Sequence, residues 1–157
     1  MSFAFSFFIG VDSMASSPIT IRLLGPADAH VLVDVAPYVF DNNVDARYTA
    51  EFFADPRHHL VVARVGATVV GFASGVHYVH PDKAPELFIN EVGVAPTHQG
   101  HGIGKRLMQA LLAHGHTLGC TGAWVGTEED NVAARRLYEA AGASRDAEAF
   151  VLYWFEL

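Results

Sequence analysis

The hydrophobic pattern of the chain changes at Pro96, and this change is the strongest constraint on its fold. Before Pro96, β-branched and apolar residues form runs typical of strands, as in Leu60–Val65 and Thr68–Val76, with a glycine-containing connection that predicts a hairpin. After Pro96, large apolar residues recur every four positions over Ile103–Leu111, which predicts an amphipathic helix. Antiparallel hairpins followed by strand–helix–strand units indicate a mixed sheet with helices on its faces.

A pass along the chain places the other elements. The expected strands are Ile19–Leu24, Leu60–Val65, Thr68–Val76, Glu86–Val94, Ala123–Gly126 and Ala149–Phe155. The expected helices run from Asp28 as N-cap to about Val39, and over Thr49–Ala54, Gly102–Thr117 and Asn131–Ala141. The last strand is apolar on both sides, so we expect it to be central or well covered. The fold class is therefore α/β, of the mixed α+β kind.

Length and charge exclude several classes of protein. A chain of 157 residues fits one domain, and its net charge of −7 disfavours a nucleic-acid partner. A single cysteine excludes an intrachain disulfide and a zinc cluster built on thiolates. Eight of the nine histidines come in four pairs without a nearby third ligand, so we expect no metal site. No apolar run reaches the ~18 residues of a spanning helix, so we expect no membrane association and a cytoplasmic location.

The amino-terminal segment differs in character from the rest. Residues 1–10 are apolar, but the first basic residue is Arg22, which does not fit the charged start of a signal peptide. Met14 comes shortly before the first strand. We therefore expect residues 1–18 to be a loosely held extension. Within it, residues 1–14 are either a wrongly assigned gene start or part of the extension. Residues 19–157 are expected to form one domain.

The segment with the clearest chemistry is the loop Gln99–Gly104, which lies between a strand and a helix. Its glycines allow several backbone N–H groups to point into one concavity, and the helix that follows adds free donors and the positive end of its dipole. A pyrophosphate is the natural ligand, and Lys105 and Arg106 add positive charge. The glycine spacing fits neither a Walker loop nor a dinucleotide-binding fingerprint. A glycine-rich turn that only packs a helix on a strand is the structural alternative.

Two motifs resemble the GNAT superfamily of N-acetyltransferases. Val94-x-Pro96-x-x-Gln99-Gly-x-Gly102-x-Gly104 resembles the family's acetyl-CoA pyrophosphate loop, and the segment from Asn131 to Gly142 is similar to its Asn-x-x-Ala-x-x-Leu-Tyr-x-x-x-Gly pattern. The resemblance covers roughly residues 19–157. It implies acetyl-CoA as cosubstrate and a mostly antiparallel sheet that is splayed at the cofactor cleft.

The resemblance also implies the cofactor-binding residues. The backbone around Gly93, on a strand that carries a bulge there, pairs with the pantetheine arm, and the loop amides with the Gln99 side chain hold the pyrophosphate. The cofactor-binding residues are Val92, Val94, Gln99, Gly100, His101, Gly102, Ile103, Gly104, Lys105 and Asn131. Asn131 has a helix cap as its structural alternative.

Two residues carry the expected catalysis. Tyr138 matches the family tyrosine near the CoA sulfur and is assigned as the general acid, although a core aromatic is the alternative. Glu91 is the candidate base. A substrate anchor, a structural salt bridge, or a water chain in place of a direct base remain open for it.

Acidic residues are expected around the acceptor amine. The six carboxylates are Asp41, Asp45, Glu91, Glu128, Glu129 and Asp130. Such a cluster suits a polycationic small molecule, and the layout is similar to small aminoglycoside 3-N-acetyltransferases, which predicts an aminoglycoside antibiotic as acceptor and resistance as the role. Polyamines and protein or peptide amines are the alternative acceptors. The structural alternative for the acidic residues is that they are solvated loop charges without a binding role. A non-catalytic acyl-CoA-binding module and a homodimer also remain open.

Overall fold

The computed structural model describes residues 17–145 and 152–157. Its strands are β1 (Ile19–Leu24), β2 (His58–Val65), β3 (Thr68–His80), β4 (Lys83–Val94) and β5 (Gly122–Trp124). Its α-helices are α1 (Ala46–Ala54), α2 (Ile103–Thr117) and α3 (Val132–Ala140), and 3₁₀ helices span Pro26–Val33 and Pro96–His98. The expected positions of these elements are confirmed except at the two places given below, with ends that differ by a few residues.

The strands form one five-stranded sheet in the order β1-β2-β3-β4-β5. The first four pair antiparallel with their neighbours in sequence, and β5 is parallel to β4. The β4–β5 pairing is limited to Glu86–Phe88 against Gly122–Trp124. Past Phe88, no strand of the described ranges lies beside β4 on that side. The expected mixed, mostly antiparallel and splayed sheet is therefore confirmed.

Two apolar cores lie on opposite faces of the sheet. One is covered by the 3₁₀ helix Pro26–Val33 and by α1, and its central side chain is Phe72 on β3. The other is covered by α2, whose Leu107 and Leu111 are fully buried against the sheet. Among the described residues, no helix has the length and apolarity needed to cross a bilayer.

The first helix differs from its prediction. Gly25, not Asp28, is the N-cap residue, and the helix is a 3₁₀ helix that ends at Val33 instead of continuing to about Val39. The chain then leaves the helix to pair with β3, because Val69 donates its N–H to Asp34 and accepts one from Ala36. Asp28 still serves the helix start, where its carboxylate accepts the Gly25 N–H at 3.0 Å.

The expected final strand is wrong over its described part. Leu152–Phe155 is not a strand, and its side chains are 78–86% exposed. The other expected residues, 149–151, lie outside the described residues. An apolar pattern predicts burial only where a sheet edge is available to pair with, and β5, the edge strand nearest in sequence, is three residues long.

A chain of three histidines links β2, β3 and α2. His59 on β2 contacts His77 (Nε2 to Nδ1, 2.8 Å) and His114 of α2 (Nδ1 to Nε2, 3.0 Å). His59 is only 6% exposed. Burial, and then the neighbouring histidines, lower the pKa of His59 from 6.5 to about 4.

This depressed pKa predicts acid sensitivity. Folding favours neutral His59, so its contribution is complete above pH ~6.5 and is lost as the pH falls toward about 4. We expect a loss of about 1–2 kcal/mol in the free energy of unfolding over that range, and His59→Leu should flatten the loss. Urea titrations at several pH values measure it, with exposed His116→Gln as control. Equal pH dependence in the parent and His59→Leu would contradict it.

Candidate active site

An irregularity in β4 positions Glu91. Ser74 of β3 pairs with Glu91 and the next residue, Gly75, pairs with Ile89, which leaves Asn90 without a partner. An extra residue of this kind re-aims neighbouring side chains, and both Asn90 and Glu91 line one cavity here.

The bulge expected at Gly93 therefore lies three residues earlier. Gly93 pairs regularly with Phe72. Its lack of a side chain has a different reason, because a Cβ there would collide with the Val39 carbonyl and lie 2.7 Å from Phe72 Cε1. Gly93 thus lets the loop before α1 approach the sheet beside Glu91.

The cavity beside Glu91, called here the β4 cavity, has a volume of about 400 Å³. Its floor is the sheet, and its walls are the loop after residue 39 and α1. The lining residues are Leu32, Phe40–Asp45, Tyr48, Thr49, Phe52, Phe53, Leu60, Phe72, Ser74, Asn90 and Glu91. A larger cavity of about 1000 Å³ shares Leu32, residues 40–44 and Thr49 with the β4 cavity but has no residue of β4 in its lining.

Glu91 has the electrostatics of a base. Burial, and then the Asp41 carboxylate, raise its pKa above the ordinary glutamate value. A carboxylate with a raised pKa is a stronger base while it remains ionised at neutral pH. Its position at a cavity large enough for an amine-bearing group allows proton abstraction there.

The six acidic residues do not surround one cavity. Asp41 and Asp45 line the β4 cavity with Glu91, but the Asp45 carboxylate caps α1 by accepting the N–H groups of Arg47 and Tyr48. Residues 128–130 follow β5 and are absent from the lining of the β4 cavity.

The acidic stretch after β5 has its own partners. Glu129 pairs with Arg135 at 3.1 Å and with Arg145 at 2.8 Å. Charge along the sequence could not reveal these pairings, because they depend on where α3 and its flanking residues lie.

The cleft between β4 and β5 exposes backbone groups. Ala95 donates its N–H to Val70 of β3. Because backbone direction alternates along an antiparallel strand, Val92 and Val94 direct their groups away from β3 and into the cleft. The side chain of Gln99 donates to the Val94 carbonyl at 3.0 Å and thereby ties the glycine loop to the end of β4.

The loop ends in free backbone donors. Gly100 and Gly102 have φ of 78° and 73°, and a Cβ on either would meet nothing within 4 Å, so the loop is open. The first N–H of α2 with a helical acceptor is that of Arg106, which bonds Gly102. Residues 103–105 therefore present their N–H groups at the positive end of the helix dipole. This arrangement fits a pyrophosphate.

The neighbours of the loop have other partners. His101 Nδ1 lies 2.8 Å from the Gln99 carbonyl, and the Arg106 guanidinium donates to the Ile19 carbonyl. Lys105 is exposed beside the free N–H groups. A Cβ on Gly104 would lie 3.2 Å from Leu137, so this glycine serves the packing of α2 against α3.

Gly102 gives a test of the loop. We expect Gly102→Val to weaken acetyl-CoA binding at least about ten-fold, or ~1.4 kcal/mol, because a β-branched residue strongly disfavours positive φ and would reshape the loop. Calorimetric titration with CoA measures the loss. Gly122→Val, in an open position of ordinary φ, is the matched control. A folded Gly102→Val protein with unchanged affinity would contradict the prediction.

The α3 residues lie on the β5 side of the cleft. The Asn131 side chain accepts the Ala134 N–H at 3.1 Å and therefore acts as the N-cap of α3. Tyr138 packs at the margin of the core under α2. Burial, and then the charge of Glu128, raise the pKa of Tyr138, so its hydroxyl stays protonated and can donate.

Sequence reasoning missed Ser74 and Asn90. Ser74 is buried except toward the β4 cavity, and Asn90 is the unpaired residue of the irregularity. Neither stands in a motif, and only the strand register brings them beside Glu91. Among the described residues, no group of three or more His, Cys, Asp or Glu is placed to hold a metal ion.

A splayed sheet with a glycine loop leading into a helix, and a half-buried carboxylate at a cavity beside β4, are the features expected of an acyl-CoA-dependent transferase. Residues 30–143 match the model of the acetyltransferase (GNAT) family, and the chain belongs to this family. It is an N-acetyltransferase that transfers an acetyl group from acetyl-CoA to an amine.

Individual relatives agree with this assignment. The chain is 34% identical over 135 residues to the N-alpha-acetyltransferase RimI of Mycobacterium tuberculosis, covering 83% of this chain and 81% of that protein. An aminoglycoside acetyltransferase from an uncultured soil metagenomic sample, solved with sisomicin, superimposes with a TM-score of 0.77 at 16% identity over 88% of this chain and 96% of that one. A ribosomal-protein-alanine N-acetyltransferase from Brucella melitensis biovar Abortus 2308 gives 0.65 at 22% identity, over 88% of this chain and all of that one. At these identities the two structures establish the fold alone.

Proposed function

We propose that the acceptor is the α-amino group of a peptide or protein amino terminus, acetylated by direct attack in a ternary complex. The observation that carries this proposal is the composition of the β4 cavity. Among the described residues of the lining, Asp41 and Glu91 are the uncommitted carboxylates, and Asp45 caps α1. The other described lining residues are amide, hydroxyl and hydrocarbon. One cation on an otherwise neutral chain matches this lining better than a polycation does.

Different residues bind the cosubstrate, accept the proton of the amine and donate a proton to the leaving group. Acetyl-CoA supplies the thioester, held by the backbone of Val92 and Val94 and by the glycine loop with the free N–H groups of residues 103–105. Glu91 accepts the proton that the acceptor ammonium must lose before it can attack. Tyr138 donates a proton to the departing thiolate.

The relatives support a protein acceptor over a drug acceptor. The Mycobacterium tuberculosis relative, which is 34% identical and is covered over 81% of its length, is named an N-alpha-acetyltransferase. The aminoglycoside enzymes match in fold at 16–20% identity.

A turnover screen tests the acceptor class. CoA release is measured with peptides whose amino terminus is free or blocked, with polyamines, and with aminoglycosides. We expect turnover of free peptides, with the acetyl group on the α-amine by mass spectrometry, and none of blocked peptides that carry lysine. Equal turnover of blocked peptides would overturn the proposal.

An aminoglycoside is the second candidate, favoured by the acidic stretch after β5. If that stretch binds a polycation, Glu128→Gln with Glu129→Gln should raise the acceptor KM with little change in the acetyl-CoA KM. Added salt should do the same, because exposed charge pairs are screened over ~8–10 Å at physiological ionic strength. If neither the two substitutions nor added salt changes the acceptor KM, the aminoglycoside is excluded as the acceptor.

A further inference from the structure

One side of the β4 cavity is hydrocarbon. Its apolar lining residues are Leu32, Phe40, Val44, Phe52, Phe53, Leu60 and Phe72. Phe40 stacks on Phe72 with ring centroids 4.1 Å apart, and Phe52 meets Phe53 edge-to-face at 5.4 Å. Because these rings pack on one another and on a buried sheet, the wall is preformed.

The polar and apolar sides are related by strand register. Ser74 of β3 pairs with Glu91 of β4 on one side and with Leu60 of β2 on the other. All three side chains line the cavity, so they form one row across the sheet. With strands ~4.8 Å apart, the row runs about 10 Å from the carboxylate to the hydrocarbon.

This row fixes how an acceptor lies. Its amine is attracted to Glu91 and Asp41 at the polar end, and a group carried next to the amine then extends over Ser74 toward Leu60. Phe72 of the floor, which is 1% exposed, and Phe53 of the α1 wall offer that group no charge and no hydrogen-bonding partner. A charged group in this place would lose its hydration without compensation.

We propose that this part of the β4 cavity is a binding site for an apolar substituent next to the acceptor amine, such as the first side chain of a peptide that begins with Leu, Met or Phe. The inference rests on the proposed acceptor site and narrows its substrate class. It selects apolar over charged or absent side chains at the first position of the acceptor.

Primary alkylamines test the site without a peptide. The series from ethylamine to hexylamine keeps the amine and adds only methylenes, and kcat/KM is measured on the enzyme saturated with acetyl-CoA. Each methylene buried along the row should raise kcat/KM about four-fold, from the ~0.8 kcal/mol of a buried CH₂. A flat series, or no turnover of hexylamine, would overturn the proposal.

Ser74 provides a matched pair of variants. Ser74→Val places two methyl groups in the middle of the row and should abolish the gain in kcat/KM with chain length beyond the shortest amines. Ser74→Ala removes the hydroxyl but leaves the space and should preserve the gain. If Ser74→Val does not fold, Thr49→Leu on the α1 wall narrows the same space. If kcat/KM still rises with amine chain length in the variant that narrows the row, the proposed site is contradicted.

Peptides that differ only in their first residue separate this inference from the proposed function. Preference for Leu or Phe over Gly and Asp supports both. Turnover of all of them at one rate retains the proposed function and overturns the apolar site. Turnover of no peptide, with a rising alkylamine series, retains the apolar site and overturns the peptide acceptor.

Discussion

Glu91→Gln is expected to lower kcat at neutral pH by about 10²–10⁴-fold, the usual contribution of a positioned acid or base. Glutamine keeps the size and the hydrogen-bonding capacity of the side chain but does not accept the amine proton. The acetyl-CoA affinity should change little, since Glu91 lines the β4 cavity and not the glycine loop. Steady-state kinetics with a saturating acceptor measures the loss.

The pH profile distinguishes a base from an anchor. Burial beside Asp41 raises the pKa of Glu91, so activity should fall with decreasing pH through a value above that of an ordinary glutamate. Asp41→Asn should move this limb to lower pH, because it removes a like charge, and Glu91→Gln should abolish it. Glu51→Gln on the exposed side of α1 is the control. Normal turnover with the limb retained in Glu91→Gln would assign the proton transfer to another group.

Tyr138→Phe is expected to lower kcat by about 10²-fold while CoA affinity stays near that of the parent, because the lost interaction belongs to the transition state. Its raised pKa keeps the phenol protonated through neutral pH, so Tyr138 should contribute an alkaline limb to the pH profile of the parent, where the phenol ionises.

Tyr78→Phe is the matched control for Tyr138. The Tyr78 hydroxyl donates to Glu86 and accepts from Trp124, a network that joins β3, β4 and β5 away from the glycine loop. Its loss should alter thermal stability and leave the alkaline limb in place. Full turnover of Tyr138→Phe, with that limb unchanged, would return Tyr138 to the role of a core aromatic.

Local signals in the sequence predicted most of the fold and the cofactor side of the site. Periodicity located α2, and the glycine spacing before it located the loop whose positive-φ residues, Gly100 and Gly102, open the backbone donors. These features depend on residues adjacent in sequence, so a short window contains the information that determines them.

The acceptor side depends on register and on distant partners. The unpaired position at Asn90 follows from how β3 and β4 align. The Asp45 carboxylate is used at the start of a helix, and the Glu129 carboxylate pairs with two arginines. The 3₁₀ helix ends early because its following residues pair with Val69, more than thirty positions away. No local pattern contains these pairings.

The separation of β4 from β5 has a consequence for the lifetime of the protein. An unpaired strand edge is a template for pairing with another chain, and proteins ordinarily cover or shorten such edges. In the proposed ternary complex the pantetheine arm binds the edge at Val92 and Val94, so the small molecule that donates the acetyl group would also act as a removable strand. At a concentration of one hundred times its Kd, such a ligand adds about 2.7 kcal/mol to the free energy of unfolding. On this proposal, the supply of the cosubstrate raises the folded fraction of the enzyme as well as its rate, and depletion of the cosubstrate leaves the strand edge at Val92 uncovered.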